Sequence, residues 1–160
     1  FPTHTIIDGQ FGQSLEETNM GVQKEIDTVA LARKMDIFTI TYVATPEEAQ
    51  KMAAAGADAV IAHVGCTVGG SIGVSDASIG LDQAAEATQA ICEAAHSVRK
   101  DVMVLSHGGP ILTPSDAAYI NERTDTVGFV GASSIERMAV EQSITDLTRE
   151  FKAIPVKRIK

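Results

Sequence analysis

Apolar residues fall into short continuous runs, separated by longer stretches in which they recur every three or four positions. Ile37 to Val43, Ala59 to Val64, Val102 to Leu105 and Thr126 to Val130 are such runs, and they predict strands. Thr3 to Asp8 is a further β-like run, ended by Gly9. The intervening stretches carry helix signals. Ser14-Leu15-Glu16-Glu17 fits a capping box and predicts a helix to about Met35, with Val22, Ile26, Val29, Ala30 and Arg33 along one face. Thr45-Pro46-Glu47-Glu48 and Thr113-Pro114-Ser115-Asp116 each place a capping hydroxyl, a first-turn proline and acids in the order that starts a helix. The first of these helices is expected to end at Gly56. Another is predicted from Asp82 to Val98, and a last one from a second capping box at Ser133–Glu136 to about Ala153.

Strands alternating with helices, with no hairpin signals, predict an α/β fold with a parallel sheet. An open doubly wound sheet and a (β/α)8 barrel are the two candidates. Consecutive strand ends that all carry functional-looking residues favour the barrel, whose site is fed by several neighbouring exits. A complete barrel takes roughly 250 residues, and the chain has 160. About four βα units and a leading fragment are expected, roughly the C-terminal half of a barrel over residues 1–154. Residues 155–160 form a basic tail.

Composition narrows the partners. A formal charge of −8 makes nucleic acid and anionic membrane poor partners. No apolar run is long enough to span a bilayer. Cys66 and Cys92 lie far apart without metal spacing and read as reduced thiols of a cytoplasmic protein. The chain starts at Phe1-Pro2-Thr3 without an initiator Met, and it is expected to be processed, truncated or part of a longer protein.

The candidate chemistry sits at the strand exits. Gly108 and Gly109 follow one strand; Gly131, Ser133 and Ser134 follow the next. Small residues there let backbone N–H groups approach a ligand, and these five form a candidate cradle for a phosphate or carboxylate. Gly69, Gly70, Ser71 and Gly73 form a mobile loop or a further backbone cradle. His107 and His63, each at a strand end, are candidates for acid–base work, with a carboxylate from Asp8 or Glu16 assisting. Tyr42 is placed either lining the pocket or in the core. A divalent metal on the two histidines would take Asp8 or Glu16 as third ligand, which the spacing permits but does not demand. His96 is expected on a helix surface.

The ordered set Ile7-Asp8-Gly9, Leu15-Glu16-Glu17-Thr18 with Met20-Gly21, Ala55-Gly56-Ala57-Asp58, His63, Gly69-Gly70-Ser71-Ile72-Gly73, His107-Gly108-Gly109-Pro110 and Gly131-Ala132-Ser133-Ser134-Ile135-Glu136-Arg137 resembles one family. It is the TIM-barrel family described as phosphoenolpyruvate hydrolase-like, which includes the C-terminal part of the tomato mosaic virus resistance protein. The resemblance covers essentially the whole chain. It implies a TIM barrel in which Phe1-Pro2-Thr3 falls at the exit of the fourth strand, with the first three strands outside the chain.

Three functions are then expected. One is hydrolase or lyase chemistry on a phosphoenolpyruvate- or phosphonopyruvate-like anion. The second is a non-catalytic ligand-binding or protein-interaction module, since plant relatives bind a viral replication protein. The third is a half-barrel that associates with the N-terminal half or with its own copies.

Overall fold

The computed structural model describes residues 9–71, 73–77 and 79–155. The Thr3–Asp8 run and the tail residues 156–160 lie outside them. Among the described residues, four strands form one parallel sheet: β1 (Ile40–Val43), β2 (Ala59–His63), β3 (Met103–His107) and β4 (Gly128–Phe129). Six helices accompany them: α1 (Gly9–Glu17), α2 (Gln23–Lys34), α3 (Pro46–Ala55), α4 (Leu81–Val98), α5 (Pro114–Asn121) and α6 (Met138–Lys152).

The strands lie side by side in chain order, β1-β2-β3-β4. A doubly wound sheet reverses direction at a switch point; this sheet never does. Sequential parallel order, with helices between strands, is the winding of a partial (β/α)8 barrel.

The register explains where the core forms. Partners across a parallel pair share a face, so Val43, Ala62 and Ser106 lie on one side and Tyr42, Ile61 and Leu105 on the other. The first side packs under the helices. Val43, Val60, Ala62 and Val104 join Val29 of α2, Met52 and Ala53 of α3, and Ile91, Cys92 and Ala95 of α4 in one buried cluster. Small alanines on α3 and α4 let the two helices sit close on the sheet. A second cluster joins Val64, Ala84, Ala85, Ile111 and Ile120, with Phe129 packed on it. The other side of the sheet would be the interior of a closed barrel. There Ile40 is 53% and Met103 38% exposed, while His63 and His107 near the strand C-termini are buried.

Two helix starts form as their sequences predict. Thr45 Oγ1 accepts from the Glu48 amide at 3.2 Å, and Thr113 Oγ1 accepts from the Asp116 amide at 3.2 Å. Each is followed by a first-turn proline. The other two are corrected. Ser14 lies inside α1, where its hydroxyl donates to the Gln10 carbonyl at 2.9 Å. The helix expected from there to Met35 breaks after Glu17, past Asn19 at φ 57, and restarts at Gln23. Ser133 caps nothing with its side chain; Ser133–Arg137 is a single π-turn preceding α6.

His96 is half-buried and reaches the Val102 carbonyl at 3.1 Å, so it ties α4 to the entry of β3. No helix among the described residues is long and apolar enough to cross a membrane.

Candidate functional site at the strand ends

His63 and His107 are the last residues of β2 and β3 and stand opposite each other in register. Tyr42, on β1, lies on the same face. The three rings form a triangle: His63 to His107 5.2 Å between centroids, Tyr42 to His107 5.1 Å, Tyr42 to His63 5.6 Å. Tyr42 meets both histidines edge-on, the arrangement that ring quadrupoles favour.

The backbone sets the proton on each imidazole. The Gly65 amide donates to His63 Nδ1 at 3.3 Å, so that nitrogen carries a lone pair and the neutral ring has its proton on Nε2. The Val130 carbonyl lies 2.7 Å from His107 Nδ1. A carbonyl only accepts, so His107 Nδ1 carries the hydrogen and the neutral ring leaves Nε2 as acceptor. Neighbouring rings therefore hold opposite tautomers, one with a donor and one with an acceptor at Nε2.

Electrostatics disfavours charge on His63 and on Tyr42. Burial, then the neighbouring His107, pushes the His63 pKa below its usual value. Burial, then the charge of Glu136, raises the Tyr42 hydroxyl above its ordinary range.

The loops behind the histidines are stitched together. Gly109 N–H donates to the Gly65 carbonyl at 2.7 Å, Val68 N–H to the Gly109 carbonyl at 3.3 Å, and Val64 N–H to the His107 carbonyl at 3.1 Å. Gly108 and Gly109 have φ of 83° and 54°, and a Cβ on either would lie 2.3 Å from the Gly65 carbonyl or 2.6 Å from that of Val64. Glycine at both positions lets the exits of β2 and β3 touch through their backbones. The Gly109 amide is spent on that contact.

Past β4, a Cβ on Gly131 would meet Ile135 and Phe129. The cleft beside Ser134, about 550 Å³, is lined by Leu112, Pro114, Ala117, Phe129, Ile135 and Ala139 and is mostly apolar. The loop after β2 is different. Ser71 N–H donates to Glu141 Oε2 at 2.9 Å, and Arg137 bridges Glu141 Oε1 at 2.8 Å and the Gly69 carbonyl at 3.3 Å.

Of the predicted catalytic residues, the fold brings His63 and His107 together. Glu16 serves the α1–α2 junction, where its Oε1 accepts from the Val22 amide at 2.6 Å. Asp8 lies outside the described residues. Among the described residues no group of three or more His, Cys, Asp or Glu side chains is disposed to hold a metal ion. Arg137 stands in the quoted pattern without an assigned role, because its contact with the Gly69 carbonyl spans 68 positions of sequence. Tyr42 was left open between core and pocket; its register with β2 decides the face it shares with the histidines.

Fold and site together define a partial parallel barrel whose strand C-termini carry paired histidines. The chain belongs to the phosphoenolpyruvate hydrolase-like family, whose pattern matches residues 1–154. It is 47% identical over 155 residues to the ToMV susceptible protein tm-1(GCR26) and to the ToMV resistance protein Tm-1(GCR237), both of Solanum lycopersicum. Each match covers 96% of this chain and 20% of the tomato protein. The chain thus spans about one fifth of the length of these relatives. A solved structure of nitroalkane oxidase from Streptomyces ansochromogenes is similar at 31% identity and a TM-score of 0.43, covering 69% of this chain and 31% of that one.

Proposed function

We propose that the chain contributes the proton-transfer side of a site for a small anionic carbonyl or enol compound, of the phosphoenolpyruvate type, at the mouth of the barrel. The carrying observation is the His63–His107 pair with opposite tautomers. His107 Nε2 takes a proton from the substrate or from water. His63 Nε2–H donates to the oxygen on which charge develops. Burial and the neighbouring His107 disfavour charge on His63, so its Nε2–H serves as a neutral donor. Tyr42 packs against both rings and holds their separation. The apolar cleft near Ser134 offers an oxoanion few donors, so the anionic end of the ligand is assigned to the loop after β2.

The test is deuterium exchange at the methyl group of pyruvate, together with release of phosphate from phosphoenolpyruvate. His107→Asn is expected to lower whichever activity the protein shows by about 10²–10⁴-fold, the usual worth of a positioned acid or base. Unchanged turnover removes His107 from the mechanism.

The names of the tomato relatives favour a second reading, a non-catalytic ligand-binding and protein-interaction module. Binding of phosphoenolpyruvate without any product in either assay supports that reading.

Either function needs a partner for the open sheet. Among the described residues, β1 and β4 each pair on one side only, and α6 buries no residue. Val140, Ile144, Leu147 and Phe151 stand exposed at helical spacing along α6. The proposed cover is the N-terminal half of the barrel, with a second copy of the chain as the alternative. A compact, soluble monomer of the chain by sedimentation, with no such segment present, overturns this.

A further inference from the structure

Two oxygens of one internal carboxylate are gripped at the loop after β2. Glu141 Oε2 accepts from the Ser71 amide at 2.9 Å, and Oε1 accepts from Arg137 Nη1 at 2.8 Å. Gly69 and Gly70, at φ 83° and 79°, turn the backbone so that the Ser71 amide faces α6. The guanidinium lies so close to Gly70 that a Cβ there would meet Arg137 Nη1 at 2.2 Å.

This donor set is more than a helical ion pair requires. Arg137 ends the π-turn that runs straight into α6, and its guanidinium turns back to the loop after β2. An arginine N-terminal to its acid by four residues is also the weaker orientation for an intrahelical pair. What these groups together recognise is an oxoanion: a guanidinium and a backbone N–H converging on two oxygens. Arg137 and Glu141 remain 22% and 26% exposed, so solvent and ligand reach them.

We propose that Ser71 and Arg137 form the oxoanion-binding site of this barrel mouth, and that Glu141 occupies it as an internal plug which a ligand phosphate or carboxylate displaces. The proposal rests on the reading above for the class of ligand, and adds the residues that hold its charge and the side chain that regulates access. The apparent affinity for the anion is then the intrinsic affinity scaled by the fraction of time the plug is out.

The experiment is calorimetric titration of the chain with inorganic phosphate. A plug seated about nine-tenths of the time weakens binding about tenfold, so Glu141→Ala and Glu141→Gln are each expected to bind phosphate about tenfold more tightly than the parent chain. Adding Arg137→Ala to Glu141→Ala is expected to abolish the gain, while Arg137→Lys retains part of it. The readout is phosphate binding and not turnover, which separates failure of this proposal from failure of the proton-transfer reading. Equal affinity of the parent and both Glu141 variants, or tight binding that survives loss of Arg137, overturns it. Circular dichroism confirms that each variant compared is folded.

Discussion

His63 and His107 end adjacent parallel strands with their rings 5.2 Å apart, and main-chain groups of Gly65 and Val130 give them opposite tautomers. The relationship is made by strand register. A shift of one residue in β3 against β2 would place one imidazole on the helix-covered face. The pair is therefore a product of the same hydrophobic patterning that buries Val60, Ala62 and Val104.

His63 makes stability depend on pH. Its folded pKa is lowered by burial and by His107, below the ordinary value of 6.5. Below that value the unfolded chain takes up a proton that the folded chain refuses, so stability falls as pH drops through 6.5 and levels off beneath the folded pKa. Melting temperatures between pH 8 and pH 5 should show this loss, and His63→Gln should flatten it. An identical slope in the variant would assign the effect to other groups.

The stitched exits of β2 and β3 should resist side chains. Gly109→Ala adds a Cβ within 2.6 Å of the Val64 carbonyl at a positive φ, and is expected to cost about 2–4 kcal/mol from backbone strain and overpacking. At Gly80 a Cβ meets nothing within 4 Å, and Gly80→Ala should cost less than about 1 kcal/mol, mainly through a poorer helix cap. Urea denaturation of the two variants compares them directly. Equal losses would mean that contact between the exits contributes little.

The two thiols should differ sharply. Cys66 is exposed, whereas Cys92 is buried in α4 with its pKa pushed up to about 12 by burial first and by Asp125 next. A native chain at neutral pH should therefore show one rapidly modified thiol with a maleimide and a second only on unfolding. Two fast thiols would show that α4 opens readily.

Local chemistry was legible where it was also sufficient. Thr45 and Thr113 act as caps because a proline follows and an acid answers three residues on, and nothing distant competes. Ser14 carries the same four-residue signal, yet the chain before it is already helical, so its hydroxyl bonds backward to Gln10. The break that the pattern missed comes at Asn19, whose left-handed backbone ends α1, and Glu16 then caps the restart at Val22. At Ser133 the π-turn gathers the Ile135 and Glu136 amides onto the Ala132 carbonyl.

The site was legible only in part, for a related reason. Strand-end histidines announce themselves by position after an apolar run. Their tautomers depend on Gly65 and Val130, and the grip of Arg137 depends on Gly69, 68 positions away. Such contacts exist only once β2, β3 and α6 are brought together. Ala55-Gly56-Ala57-Asp58 shows the opposite case. Gly56 ends α3 at φ 102°, and Asp58 Oδ2 accepts from the Thr39 amide at 2.8 Å. That part of the family pattern holds the entry to β1 against β2, at the end of the sheet away from the histidines.

The most direct measurement is the long-range ¹H–¹⁵N spectrum of the imidazoles at neutral pH, recorded with and without phosphoenolpyruvate. The account predicts a proton on Nε2 of His63 and on Nδ1 of His107 in the unliganded chain, and movement of both Nε2 resonances when the ligand is added. A shared tautomer, or two Nε2 resonances that ignore saturating ligand, would contradict it.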